Sequence, residues 1–456
     1  MARDVVDAQF VESRHDLVAW LEVGCKPPET FRVGAEHEKI PFYKADLSPV
    51  PYEGPRGIGA LLEGMRQRLG WEAIQDDGKV IGLYDEHGGG AISLEPGGQF
   101  ELSGAPLATI HEISSELEAH LRSVHAVADA LGIGFLSLGA SPKWPLAQTP
   151  VMPKSRYRIM AHYMPQVGTR GLDMMFRTAT VQANLDFSSE ADMVAKLRVG
   201  LALQPVITAM FANSPFTEGK PNGCLSARSE IWRHTDPART GMMPFAFEPG
   251  MGFERYVDYA LDVPMYFVKR GSVYHDVAGA SFRDLLAGKL AALPGERATI
   301  SDWANHLSTI FPEVRLKRYL EMRGADVGPP ERICALAAFS VGLYYDTDAL
   351  AAAGDLVNGW SAEERQALRD QVPRLGLAAR IAGRDLAAVA AEAVAIARAG
   401  LKRRDRRDAT GRDETIFLEP LEAIVAEGRT PAEHWLARYE KAWNERIEPV
   451  FREATL

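Results

Sequence analysis

Three cysteines in 456 residues, Cys25, Cys224 and Cys334, are too few and too scattered for a disulfide framework or a thiolate zinc site, and fit a reducing compartment. No GxxxxGK[ST] loop, GxGxxG turn or GxSxG elbow occurs, which argues against P-loop, dinucleotide-binding and serine-hydrolase chemistry. HExxH and CxxC are missing too, which argues against zinc. No apolar run reaches the roughly 20 residues of a membrane span. The longest, near 201–212 and 333–345, read as core helices, the first interrupted at Gln204-Pro205, and no membrane partner is expected. The stretch Met1 to Asp16 mixes acids and bases without an apolar h-region, so no secretory signal is expected and the cytosol is the default location. A basic excess is also absent. The net charge of -10 disfavours broad contact with nucleic acid, so any phosphate needs a locally built site. Repeats and low-complexity tracts are not found.

What is present is enough apolar content, 46%, for one large core or two to three smaller ones. Up to about residue 345 short β-rich runs alternate with Gly/Pro punctuation; beyond it Ala, Leu, Glu and Arg recur at helical spacing. The chain therefore reads as a single unit over 1–456, with an approximate core at 28–345 and a helical region at 346–456 packed on it. Ser361 with Glu364, and Thr430 with Glu433, predict capped helix starts. The Ala-rich run 385–399 predicts a scaffold helix.

Three strands carry one polar face each. Val33 to Pro41 is expected to be a strand ending at the proline, with Glu36 and Glu38 on one side. Two parallel carboxylates raise each other's pKa unless a cation lies between them, which suggests a metal; a solvated edge strand would give the same pattern. Ala91 to Glu95 leads through Pro96-Gly97-Gly98 into Gln99 to Ser103, setting Gln99, Glu101 and Ser103 opposite Phe100 and Leu102. The glycines permit a close approach to a ligand or an ordinary hairpin bend. Thr178 to Asp186 alternates polar and apolar without exception, which places Gln182 and Asn184 in a polar cavity. Together the strands predict an antiparallel sheet curved into a funnel lined by oxygen donors, suited to magnesium, with manganese as the alternative.

Two long polar loops, 141–156 and 213–240, supply cations: Lys154, Arg156 and Arg158, then Lys220, Arg228, Arg233 and Arg239. Trp232 shares a face with Arg228 if 225–233 is helical.

GAEHEK at 34–39, SLEPGGQFELSGAPL at 93–107, GLDMMFRT at 171–178, FANSPFTEGKPNG at 211–223, YVDYALDVPMYFV at 256–268 and FPEVRLKRYLEMRGAD at 311–326 resemble the glutamate–cysteine ligase family of plants and many proteobacteria, and the likeness spans nearly the whole chain. The resemblance implies an α+β, glutamine-synthetase-like catalytic fold: a curved antiparallel funnel with surrounding helices and a helical C-terminal region. It implies ATP-dependent activation of the glutamate γ-carboxylate and its ligation to the cysteine amine, with magnesium on the phosphates. The substrates are then glutamate, cysteine and ATP, and the expected state is a monomer or weak homodimer. Carried over by motif, Glu36, Glu38, Glu95 and Glu101 look like metal-facing carboxylates. Arg156, Arg228, Trp232 and Tyr266 look like substrate-pocket residues, with Arg156 and Arg228 the catalytic cations and Arg228 assigned to glutamate. Plant members bear cysteine pairs associated with redox control, where this chain aligns Val277 with Ala292 and Ser114 with Cys334, so neither pair forms. The rival readings are a ligase of the same fold using another amine, a two-metal hydrolase, and a non-catalytic glutamate-binding protein.

Overall fold

The computed structural model describes residues 7–456, so the first six residues of the N-terminal stretch considered above lie outside it. A nine-stranded sheet, antiparallel at every pairing, forms the centre. Its strands are β1 (Val33–Tyr43), β2 (Glu72–Asp76), β3 (Lys79–Tyr84), β4 (Ala91–Leu94), β5 (Phe100–Ser103), β6 (Ile133–Leu136), β7 (Thr180–Leu185), β8 (Val314–Leu316) and β9 (Leu320–Asp326). The spatial order is β8-β9-β7-β1-β5-β4-β3-β2, and β6 pairs with the far end of β1.

Register explains how one face becomes polar. Directly opposed residues share a face of the sheet. Glu38 stands opposite Glu101, and Glu36 is flanked by Ser103 on one side and Gln182 on the other. Asn184 opposes Glu321, which in turn opposes Arg315. The alternate residues of β1, among them Ala35 and His37, turn to the other side, where the helices Ile110–Leu131 and Pro330–Tyr344 pack on the sheet.

Two prolines behave differently from the sequence expectation. β1 does not end at Pro41 but runs to Tyr43, because there it leaves β5 and β7 for β6, with Pro41 opposite Phe135. Nor does Gln204-Pro205 interrupt its helix, which extends over Glu190–Phe211. That helix is buried on nearly every side, and packing outweighs the hydrogen bond a proline forfeits. Gln204 is used against a bulge in β9: its Oε1 accepts from the Gly324 N–H at 2.6 Å, while the Thr208 hydroxyl donates to the Gly324 carbonyl at 2.8 Å. A Cβ at residue 324 would meet Gln204 Oε1 at 2.4 Å, so any larger residue there would displace the Gln204 side chain from the bulge. By length and composition this helix could cross a membrane, yet 83% of its apolar window is buried inside the protein.

Both capped starts are present, with the Ser361 N–H donating to Glu364 at 2.8 Å and the Thr430 N–H to Glu433 at 2.7 Å. They open the helices Ala362–Leu375 and Pro431–Lys441. The Ala-rich run forms the helix Leu386–Arg404, which lies so close to Pro330–Tyr344 that a Cβ at Gly400 would sit 2.0 Å from the Gly342 carbonyl oxygen. The third polar strand is shorter than its pattern, since Thr178 closes the helix Gly171–Arg177 instead of opening β7.

Candidate functional site

The polar face of the sheet is the floor of a cavity whose walls differ in charge. Glu36 and Glu38 of β1, Glu101 of β5 and Glu95 from the β4–β5 turn make the acidic side. Arg315 and Lys317 of the β8–β9 hairpin, Arg323 of β9, Arg228 and Arg156 make the basic one. Met160, Met174, Met175, Trp232 and Phe311 supply apolar surface.

The β4–β5 connection is a hairpin, closed by the Glu95 N–H donating to the Gln99 carbonyl at 2.9 Å, with Gly98 at φ +90°. Gly97 is needed for another contact. A Cβ there would fall 2.1 Å from the Phe176 carbonyl oxygen.

Each carboxylate is held by a donor from a neighbouring segment. Asn184 Nδ2 donates to Glu36 at 2.8 Å, the Thr180 N–H to Glu38 at 3.0 Å and the Tyr157 hydroxyl to Glu95 at 3.3 Å. The Ser93 hydroxyl donates to Glu101. Burial raises the pKa of Glu36, with Glu321 and Glu101 adding to the rise. Glu38 is pushed well above the ordinary carboxylate range by burial first, then by Glu95 and Glu101. Among the described residues no three His, Cys, Asp or Glu side chains are gathered into a ready-made metal cage. The four carboxylates border the cavity instead. Magnesium suits that arrangement, because it is bound through one or two carboxylates and completes its shell with phosphate oxygens and water.

The cations are ordered as carefully. Glu321, fully buried, takes a two-pronged contact from Arg315 and has Arg323 at 3.3 Å and Lys317 at 3.7 Å. Arg323 also donates to Gln182 Oε1 at 2.6 Å. Burial and the neighbouring Arg315 bring Lys317 down to about 8, against the pull of Glu321 and Glu36. Arg228 opens the helix Ala227–Trp232, capped by Ser226, whose hydroxyl is anchored on Asp326 at 2.9 Å. Its Nη2 donates to the Arg323 carbonyl at 2.8 Å, and its buried Nε has no hydrogen-bond partner. Its guanidinium lies 6.0 Å from the Trp232 ring.

Arg156 and Tyr157 sit in the first turn of the helix Ser155–Val167, which has no cap of its own. Asp76 at the end of β2 replaces it, accepting the Ser155 N–H at 2.6 Å and its hydroxyl at 2.8 Å. Asp76→Ala is expected to lower stability by about 1 kcal/mol and to weaken whatever ligand Arg156 holds, with Asp76→Asn retaining most of both in melting and binding measurements.

Of the seven basic residues picked out from the two loops, only Arg156 and Arg228 border the cavity. Arg239 is wholly buried, bonded to Asp236 at 2.6 Å and stacked 3.9 Å from the Tyr266 ring. Arg233 is engaged by Glu230 and Asp370, Lys154 by the Leu94 carbonyl, and Arg158 and Lys220 are exposed. Tyr266 is placed outside the lining, where it packs on Arg239 and donates to Met164 Sδ. Asn184 is likewise behind the surface, while Gln182 and Trp232 line it. Arg315, Lys317 and Arg323 went unassigned in the sequence, although Arg315-Leu-Lys317 and Glu321-Met-Arg323 each show the two-residue alternation that marks one strand face.

The model of the glutamate-cysteine ligase family 2 matches residues 32–453. The chloroplastic glutamate–cysteine ligase of Nicotiana tabacum is 55% identical over 450 residues, 99% of this chain and 84% of the relative. That of Arabidopsis thaliana is 55% identical over 441 residues, 97% and 82% of the two chains. Among solved structures, the Francisella tularensis glutamate–cysteine ligase in complex with AMP superposes with a TM-score of 0.58 at 12% identity, covering 93% of this chain and 87% of that one. A bifunctional glutathione synthetase from Pasteurella multocida gives 0.52 at 12% identity, over 97% and 53%. At such identities the structures establish a shared fold. The expectation of a cytosolic location is overturned by the relatives, which are named as chloroplastic and point to the plastid. Few cysteines fit any reducing compartment, so the sequence had no physical ground for choosing the cytosol.

Proposed function

The chain belongs to glutamate–cysteine ligase family 2, and on that premise we propose that it joins the γ-carboxylate of glutamate to the amine of cysteine at the expense of ATP, through a γ-glutamyl phosphate. The observation that carries the reading is the single cavity with four carboxylates on one wall and five cations on the other. Phosphoryl transfer to a carboxylate brings several negative oxygens together, so catalysis consists chiefly of positioning and charge neutralisation. Glu36, Glu38, Glu95 and Glu101 would hold magnesium, which supplies neutralisation of the nucleotide phosphates. Arg228 orients glutamate, its free Nε and its fork matching a carboxylate, and Trp232 walls the same pocket. Arg315, Lys317 and Arg323, fixed by Glu321, receive the transferred phosphoryl group, with Arg156 also lining the cavity. Once the acyl phosphate has formed, the neutral amine nitrogen attacks its carbonyl carbon, the bond from that carbon to the phosphate oxygen breaks, and phosphate departs with the electron pair and takes up the proton that the nitrogen loses. Residues 28–345 serve as the catalytic core and 346–456 as the helical region resting on it.

Phosphate release from ATP tests the proposal. Release is expected only with glutamate and cysteine both present. Release with glutamate and a different amine would reassign the acceptor, and release independent of glutamate would overturn the reading.

The same assay checks the missing redox pairs. All three cysteines are free, Cys224 and Cys334 are buried, and burial raises the Cys334 thiol to about 11. Ser114 touches Cys334 through a hydrogen bond where a disulfide would need a second sulfur. Dithiothreitol is therefore expected to leave the rate unchanged; a large reversible loss would count against this prediction.

A further inference from the structure

Strand β9 carries one residue more than the stretch of β7 beside it. Glu321 opposes Asn184 and Met322 opposes Ala183, but the next pairs are Ala325 with Val181 and Asp326 with Thr180, so Arg323 and Gly324 together stand against Gln182. Glu321 and Asp326 are five residues apart, and in an unbroken strand an odd spacing sends two side chains to opposite faces. The extra residue returns them to one face, the one that Thr180 and Asn184 share. The strand thereby serves two arrays. At one end Arg323 joins Arg315 and Lys317 around Glu321. At the other, Asp326 accepts the Ser214 hydroxyl at 2.6 Å and the Ser226 hydroxyl at 2.9 Å, and Ser214 in turn accepts the Arg228 N–H at 3.1 Å.

Each backbone group that the bulge frees from the ladder has another partner. The Arg323 N–H donates to the Glu313 carbonyl at 3.3 Å, and the Arg323 carbonyl accepts Arg228 Nη2 at 2.8 Å. The Gly324 N–H donates to Gln204 Oε1 at 2.6 Å, and the Gly324 carbonyl accepts the Thr208 hydroxyl at 2.8 Å. Gln204 and Thr208 lie one turn apart on the helix Glu190–Phe211, are 0% and 3% exposed, and do not line the cavity. We infer that Gln204 and Thr208 are positioning residues for the ligation, acting through the bulge: they fix the change of face within β9 that sets Arg323 among the cations of the cavity and gives Arg228 both a carbonyl acceptor and a backbone anchored on Asp326. The inference rests on the ligase reading given above. Without these two partners the Gly324 amide groups would be buried and unpaired. The arrangement that pairs them instead, an unbroken ladder with β7, turns Asp326 to the other face of the sheet, away from Ser214 and Ser226.

The test separates the hydroxyl of Thr208 from its bulk. Thr208→Val keeps the shape of the side chain and removes the donor, whereas Thr208→Ser keeps the donor and removes a methyl group. Thr208→Val should lower kcat/KM for glutamate about tenfold or more, with kcat reduced and the KM for glutamate raised, while the KM for ATP stays within about twofold of that of the unaltered protein. Thr208→Ser should stay close to the unaltered protein in all three constants. Gln204→Met, of similar length but without the acceptor, should reproduce the split, and it decides the matter if Thr208→Val does not fold. Melting curves accompany the rates: a lowered melting temperature with unchanged rate constants would make the two residues structural only and overturn the inference. Equal losses in the valine and serine variants, or a KM for ATP that rises as far as that for glutamate, would overturn it as well. If the unaltered protein releases no phosphate with glutamate and cysteine, the ligase reading itself fails and the inference falls with it, a result distinguishable before any variant is made.

Discussion

Glu38→Gln is expected to lower turnover by about 100-fold or more while leaving the protein folded. Replacing groups that merely support a metal ligand costs about 10–100-fold, and Glu38 is proposed to touch the ion itself. Its position makes the effect readable in stability as well. The carboxyl is held well above the ordinary range by burial, with Glu95 and Glu101 adding to it, while Arg228 and the Thr180 N–H pull in the other direction. A carboxyl whose folded pKa is raised binds more protons in the folded state than in the unfolded one between the two values. Stability of the metal-free protein therefore falls as pH rises through that window, upward from the unfolded value near 4.5. Glutamine carries no charge to desolvate, so the metal-free variant should melt no lower than the unaltered protein at pH 7 and should lose that pH dependence. Magnesium with ATP should then raise the melting temperature of the unaltered protein and have little effect on the variant. Near-normal rates in Glu38→Gln, or an undiminished magnesium–ATP shift, would remove Glu38 from the metal site.

The second large effect is expected at Arg228. Arg228→Lys keeps the positive charge but gives up the planar fork, and should raise the KM for glutamate by about 10–100-fold, the equivalent of a charge-assisted hydrogen bond of about 1.5–3 kcal/mol. The ATP concentration dependence should change much less. Lysine is the informative choice because Arg228 is buried among Asp326, Glu38 and Glu313. Alanine would strip those carboxylates of their counter-charge and cost about 3–5 kcal/mol of stability, mixing unfolding with lost binding. Initial rates over glutamate and ATP, run separately, distinguish the outcomes. An equal change in both KM values would mean that Arg228 serves the site as a whole and does not hold glutamate.

Much of the acidic wall was legible in the sequence because its rule is local. In a strand, residues two apart share a face, and Glu36, Glu38 and Glu101 follow that rule into one cavity. Glu95 arrives by the adjacent hairpin. The capping boxes at Ser361 and Thr430 were legible for the same reason, each being a contact between residues three apart. The basic wall was less so. Selecting cations by their presence in polar loops chose Arg239 and Arg233, which are consumed by internal carboxylates, and passed over Arg315, Lys317 and Arg323. Tyr266 followed from family likeness, and its ring packs under the Arg239 guanidinium.

The sequence by itself determined which side chains lie on the same side of each strand, where the marked helices begin, and which family the chain resembles. Only the tertiary structure decided that β7 lies between β1 and β9, so that Glu36 and the cations around Glu321 meet across one cavity from positions nearly 300 residues apart. It also decided that Pro41 and Pro205 are carried through their elements, and that Arg369 of the C-terminal helical region pairs with Glu313. The physical reason is the range of the forces involved: backbone geometry fixes neighbours two to four residues apart, whereas strand order and buried charge pairing are settled by contacts whose sequence separation no local pattern encodes.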